Sequence, residues 1–213
     1  MTKTSFCDYI KGGDHVVVVG LGKSGVSAVR FLLQQGVRVS VSEGGRRDRL
    51  DREICRWLEG ERVCLETGGH TSELFCSADC ILLSPGVPLD LPPLKAARER
   101  NIPVIGEMAL SSQFMKTVMA AVTGTNGKST VVTLLGELCR AAGKKTFVGG
   151  NIGTPLTDYL AGPQADEVAV LEVSSFQIDT AGDFRPRVGV LLNITPDHLD
   201  RYASFDAYAA SKF

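Results

Sequence analysis

The run Gly124-Thr125-Asn126-Gly127-Lys128-Ser129-Thr130 has the residue types that hold nucleotide phosphates. Its glycines let the backbone curl so that several N–H groups face one concavity, and a helix beginning there adds about half a positive charge. Lys128 is spaced to reach the β- and γ-phosphates, and the Ser129 hydroxyl is placed to ligate Mg²⁺. Val122 stands where the GxxxxGK[ST] pattern has its first glycine, so the context must carry the reading. An apolar run, TVMAAVTG, precedes the loop, and STVVTLLGELCRAAG follows it with a helical period. All seven loop residues are therefore expected to contact ATP. A glycine-rich turn followed by a solvated lysine is the plainer alternative.

A second loop, Gly20-Leu-Gly22-Lys23-Ser24-Gly25, fits GxGxxG, and Glu43 closes the next strand-like run, VRVSVSE. Together they form a fingerprint for a nucleotide diphosphate, with the acid placed to bond a ribose hydroxyl. They do not say which nucleotide, and a tight turn that needs glycine for packing is the competing reading. A nicotinamide oxidoreductase would use this loop and leave GTNGKST without a task.

Magnesium at the first loop needs further oxygen ligands at the C-terminal ends of neighbouring strands. Glu172 is an acid inside the apolar run DEVAVLEVSS, where burial without a partner is costly. It could instead be a strand-end carboxylate bonded to backbone groups. Thr195-Pro-Asp197-His198-Leu-Asp200 directly follows VGVLLNIT and crowds one His and two Asp into a short span. The same span reads as a helix N-cap at Thr195 with acids in the first turn, and the two readings are compatible.

Strands must carry these loops. HVVVVG is a continuous apolar run suited to a strand buried on both faces. SGVSAVRFLLQQG places Val26, Val29, Leu32 and Leu33 at helical spacing before Gly36, so Asp14 to Glu43 makes one β-α-β unit. ADCILLSPG reads as strand into turn, PPLKAARERN as a helix opened by proline, and IPVIGE as a strand. ALSSQFMK is a connecting helix, and KKTFVGG, DEVAVLEVSS and VGVLLNIT are further strands. The expected class is α/β: a Rossmann-like parallel-sheet domain over 1–106, then the N-terminal part of a P-loop α/β domain over 107–213.

A net charge of −1 over 213 residues gives no electrostatic attraction for nucleic acid or an anionic membrane. No stretch approaches the roughly 20 apolar residues that span a bilayer, and MTKTSFCDYIKGGDH lacks the apolar run of a signal peptide. The six cysteines (Cys7, Cys55, Cys64, Cys76, Cys80, Cys139) lie in apolar stretches. Cys76 and Cys80 as a metal or redox pair would need partners the surroundings do not offer. A cytoplasmic monomer is expected.

Taken together, these motifs resemble the Mur ligases of peptidoglycan synthesis over nearly the whole chain. GTNGKST resembles their ATP loop, and GGNIGTPL (Gly149 to Leu156) their stretch after the next strand. GLGKSG, SPGVP (Ser84 to Pro88), LEVSSFQ (Leu171 to Gln177) and DHLDRY (Asp197 to Tyr202) resemble the branch that adds D-glutamate. The resemblance implies that the first unit holds the uridine diphosphate end of a UDP-linked muramoyl-alanine. Gly22, Lys23 and Ser24 would lie at the diphosphate, Glu43 near the uracil, and Ser84, Pro85 and Gly86 beside them. Asn151 and His198 would face the muramoyl sugar or its alanine. Lys128 and Ser129 would hold ATP and one Mg²⁺, with Glu172 on the same ion and His198 helping to place a second Mg²⁺. Lys212 matches a lysine that the family carbamylates with CO₂ to make an anionic group beside the metal, although its residue type alone suggests a solvated surface position. Lys128, His198 and Lys212 are the implied catalytic set. The implied reaction phosphorylates the alanine carboxylate with ATP and lets the amine of D-glutamate displace phosphate. The family continues into the rest of the central domain and a third domain, so these 213 residues are expected to bind the uridine end without completing the reaction. A non-catalytic nucleotide-binding fragment is the remaining rival beside the oxidoreductase.

Overall fold

All five residues of β1 (His15–Val19) are buried, as a continuous β-branched run between two layers requires. The computed structural model describes residues 9–213; Cys7 and the rest of the N-terminal segment lie outside them. After β1 come α1 (Lys23–Gln34), β2 (Arg38–Glu43), α2 (Arg52–Gly60), β3 (Cys64–Thr67), α3 (Ser72–Cys76), β4 (Cys80–Leu83), α4 (Pro92–Glu99) and β5 (Val104–Gly106). Their strands form one parallel sheet in the order β3-β2-β1-β4-β5, the doubly wound arrangement of nucleotide-binding folds.

Helix α5 (Glu107–Phe114) leads to the second half: β6 (Val118–Thr123), α6 (Lys128–Ala141), β7 (Thr146–Gly150), α7 (Leu156–Ala161), β8 (Val168–Glu172), α8 (Ser175–Ile178), β9 (Val188–Leu191) and α9 (Phe205–Ala210). The second sheet is also parallel, in the order β7-β8-β6-β9. Every strand expected from an apolar run is present. Strand β3 was not expected, because CLET sits at the sheet edge with every position at least partly exposed and so carries no apolar run. Short helices α2, α3 and α7–α9 also escaped the periodicity, although Asp51 and Thr71 cap α2 and α3.

The halves share buried surface. Leu160 of α7 joins the core cluster of Phe31, Leu32, Ala109 and Leu110, and Met108 packs with Leu156 and Leu171. A polar seam runs through this contact. Ser27 Oγ lies 2.7 Å from Thr157 Oγ1 and donates to Asp158 Oδ1 at 2.5 Å. Thr157 donates its N–H and its hydroxyl to Glu107 Oε1 at 3.0 and 3.2 Å. Burial pushes the Glu107 carboxyl above the usual range, against the lowering effect of the Thr157 bonds. Cys80 is likewise buried in its strand, with its thiol pushed up to about 12, first by burial and then by Asp14.

Two outcomes follow. A Cβ on Gly25 would overlap the Gly20 carbonyl oxygen, so Gly25→Ala should lower the unfolding free energy in urea by about 1–3 kcal/mol. For Glu107, a raised folded-state pKa means stability is full below the ordinary glutamate value and is lost as pH rises through the folded one. Urea midpoints should therefore fall with pH across that window in the native chain and show a flatter slope in Glu107→Gln.

Candidate active site

Strand register sets the site. In the second sheet Glu172 pairs with Val122 on one side and with Gly150 on the other, so the ends of β6, β7 and β8 are level. The GTNGKST loop, the Asn151 turn and Glu172 therefore meet at one edge. Gly124 (φ +147°) and Gly127 (φ +85°) take backbone conformations that suit glycine, and a Cβ on Gly124 would lie 3.2 Å from Asn193 O. Helix α6 starts at Lys128, with Gly127 as its N-cap.

The loop is tied to the segment after β9. Thr125 N donates to Asn193 O at 3.0 Å, and Asn126 N donates to Asn193 Oδ1 at 2.9 Å. Thr125 Oγ1 accepts from Thr195 N at 3.0 Å and lies 2.9 Å from Tyr208 Oη. The Lys128 ammonium is held over the loop by Gly124 O and Thr125 O, at 2.9 and 2.8 Å.

Glu172 is 1% exposed. Its Oε2 accepts from Ser129 Oγ at 2.7 Å and its Oε1 from Asn151 Nδ2 at 2.8 Å. The carboxylate is bonded to side chains, not to the backbone groups of the alternative reading. Asn151 N in turn donates to Glu172 O at 2.9 Å, and a Cβ on Gly150 (φ +100°) would overlap that same oxygen. A carboxylate and a hydroxyl at a helix N-terminus are the hard oxygen donors Mg²⁺ takes beside phosphate, where substrate and water supply the remaining ligands. Among the described residues no group of three or more His, Cys, Asp and Glu side chains could hold a metal by itself.

His198 and Lys212 lie in an aromatic cluster nearby. The helix expected to start at Thr195 is not there: residues 192–198 are irregular, because Thr195 bonds the phosphate loop instead of capping a turn. His198 has φ +52°, its ring centroid is 4.8 Å from Phe176, and its Nε2 is 3.6 Å from Asp197 Oδ2. Arg201 lies over the Phe176 ring, and Tyr202 Oη donates to Asp179 Oδ2 at 2.7 Å. Lys212, read from its type as solvated, is 7% exposed, with Nζ 4.7 Å from the Tyr208 ring centroid. Burial pulls its ammonium below the usual lysine range, and Asp197 and Asp179 oppose that shift.

At the first loop Gly20 has φ +89°, and Ser84 Oγ donates to its carbonyl at 3.1 Å. Glu43 spans the loop and its own turn: Oε2 accepts from Leu21 N and Oε1 from Gly45 N, both at 2.7 Å. Gly22 caps α1, placing Lys23 and Ser24 in its first turn, and Lys23 Nζ reaches the other half to donate to Gly153 O at 2.9 Å. A cleft of about 540 Å³ runs between the halves from Ser84 and Pro85 to Phe176, Asp179, Arg201 and Tyr202. Asn193 and Tyr208, which brace the phosphate loop, were missed. Both act across long sequence separations, and neither carries a local motif.

This fold is shared with known proteins. Residues 14–106 match the Mur ligase MurD-like N-terminal domain, and residues 122–213 match the Mur ligase middle domain. The chain belongs to the Mur ligase family. It is 52% identical over 197 residues to the UDP-N-acetylmuramoylalanine--D-glutamate ligase of Desulfosudis oleivorans, which covers 92% of this chain and 43% of that protein. Identity is 48% over 200 residues to the ligase of the same name from Koribacter versatilis, covering 94% and 44%. The chain thus spans less than half the length of these relatives. Among solved structures, the UDP-N-acetylmuramate:L-alanyl-gamma-D-glutamyl-meso-diaminopimelate ligase of Neisseria meningitides superposes with a TM-score of 0.55 at 21% identity, over 94% of this chain and 66% of that one, which shows a shared fold.

Removing Asn151's amide would leave one oxygen of a buried carboxylate without its donor. Asn151→Ala should destabilise the fold by about 1–3 kcal/mol in urea unfolding.

Proposed function

We propose that this chain is the uridine-nucleotide-binding and ATP-binding part of a ligase that joins D-glutamate to UDP-N-acetylmuramoyl-L-alanine. The observation that carries the reading is the contact of Ser129 and Asn151 with buried Glu172, level with Lys128 and beside a cleft shared by both halves. The donor set suits Mg²⁺, which would neutralise phosphate charge and make the γ-phosphoryl group transferable.

In this reading the loop amides and Lys128 bind the triphosphate, while Ser129 and Glu172 hold the ion. The first turn of α1, with Lys23 and Ser24, takes the diphosphate of the uridine substrate. The Ser84–Gly86 turn and Glu43 then flank its nucleoside. The muramoyl-alanine arm lies along the cleft toward Asn151 and His198, so its carboxylate comes near the γ-phosphate. Transfer gives an acyl phosphate and ADP; attack by the D-glutamate amine forms the amide and releases phosphate. His198 would serve a second ion or the alanine. Lowering the Lys212 ammonium favours the neutral amine, whose nitrogen adds to CO₂ with loss of a proton to give a carbamate.

Among the described residues no helix is long and apolar enough to cross a membrane; the substrate pair and a monomeric, cytoplasmic setting remain part of the proposal. An oxidoreductase is not favoured, because it leaves the Lys128–Ser129–Glu172 arrangement unused.

ADP release by the full-length gene product, assayed with each amino acid in turn, should depend on D-glutamate; equal release with other amino acids would sink the substrate assignment. In this chain, calorimetry should detect the UDP-muramoyl-alanine substrate. Lys128→Ala should weaken Mg·ATP binding by about 10- to 100-fold, as loss of a charged hydrogen-bond donor predicts.

A further inference from the structure

The C-terminal ends of β2 and β3 carry a polar relay outside both glycine loops. Ser42 is fully buried and donates its proton to Glu66 Oε2 at 2.5 Å. Thr71 donates to the same carboxylate through N–H at 3.2 Å and through Oγ1 at 2.5 Å. Burial alone would raise the Glu66 carboxyl; the Ser42 and Thr71 bonds and the nearby His70 hold it below the usual range.

An ionised carboxylate only accepts hydrogen bonds. The Ser42 proton is therefore committed to Glu66, and the 2.8 Å contact between Ser42 Oγ and His70 Nδ1 must be donated by the imidazole. In neutral His70 the proton then sits on Nδ1, and Nε2 is a bare acceptor. Nε2 lies 3.2 Å from where a Cβ on Gly44 would be, beside the turn that follows Glu43. Phe75 backs the ring edge-on, with centroids 5.8 Å apart. Among the described residues, the Ser42 contact is the one hydrogen bond His70 makes with protein.

This acceptor stands in line with the first loop. Leu21 N is bonded to Glu43, Glu43 to Gly45 N, and Gly68 N to both Glu43 O and Gly45 O. The α1 N-terminus, Glu43, the Gly44 turn and His70 thus follow one another across the ends of β1, β2 and β3. With the diphosphate at the first loop and Glu43 beside the nucleoside, the base reaches the Gly44 turn, where His70 stands. We infer that His70 Nε2 accepts the N3–H of a uracil-type base, with Ser42 and Glu66 as positioning residues that fix its tautomer. The inference rests on the uridine reading of the first half. Cytosine presents a lone pair at N3, so acceptor would meet acceptor, and a relay that sets one proton selects between the two pyrimidines.

The test is calorimetric titration of this chain with UDP, CDP and N3-methyl-UDP. UDP should bind about tenfold or more tighter than the other two, as one lost hydrogen bond to a fixed acceptor implies. His70→Phe should bring UDP down to the level of N3-methyl-UDP, whereas Lys23→Ala should weaken all three alike. Long-range ¹⁵N spectra of the imidazoles supply a readout that does not depend on the variant folding. They should show His70 protonated on Nδ1, with an Nε2 signal that shifts with UDP and not with N3-methyl-UDP, and His15 and His198 as internal references. Ser42→Ala should lose both that tautomer pattern and the discrimination. Equal binding of UDP and N3-methyl-UDP, or a UDP preference that survives His70→Phe, overturns the role of His70 and leaves the uridine reading standing. Binding of none of the three by folded chain overturns both.

Discussion

A carboxylate buried between two neutral donors is the constraint on which the second half of this molecule depends. Glu172 has lost nearly all contact with water, and its oxygens are met by the Ser129 hydroxyl and the Asn151 amide. Placing a charge in such a position is expensive unless every lone pair is answered. The level ends of β6, β7 and β8 meet that requirement, because the donors come from the elements that follow two of those strands. It also excludes a side chain from Gly150, whose backbone lies against Glu172 O. The oxygens that would suit a hard cation are held in place by the contacts that make their burial tolerable.

The first half is organised around a backbone problem. Five parallel strands must let the chain turn sharply from β1 into α1, and Glu43 stabilises that turn by accepting one N–H from each side of it. A fingerprint acid usually credited to ribose recognition is here also a structural brace. Its oxygens keep further lone pairs, so the two roles are compatible. The halves are then joined by a buried seam in which every polar member has a partner, from Ser27 through Thr157 to Glu107.

What was legible in the sequence was whatever depends on local backbone shape. GTNGKST and GLGKSG could be read because glycine at those spacings answers a turn that few other residues can make. Glu172 could be read because an acid within an apolar run needs a reason. Thr195 misled, since the same Thr-x-Asp pattern serves a helix cap or a loop contact, and only the distant Thr125 decides which. The burial of Lys212 depends on Tyr208 and on the folding of α9 back over the phosphate loop, which no local pattern encodes. Strand β3 was silent because an edge strand with exposed positions has no apolar signature. The relay through Ser42 was hidden for the same reason, since its partners Glu66 and His70 sit on and beside that strand.

The bond from Lys23 to Gly153 has a consequence in terms of linkage. Gly153 belongs to the short strap that carries Asn151 to Glu172 at one end and Thr157 to Ser27 at the other. An anion bound at the first turn of α1 would compete with the Gly153 carbonyl for that ammonium, so part of its binding energy would be drawn from the strap. Coupling free energies are reciprocal. A ligand that tightened Asn151 on Glu172 and an anion that drew Lys23 from Gly153 would, if the strap links them, change each other's affinity by one common factor. One hydrogen bond between the halves is thus a route by which ligands at the two glycine loops would depend on each other thermodynamically.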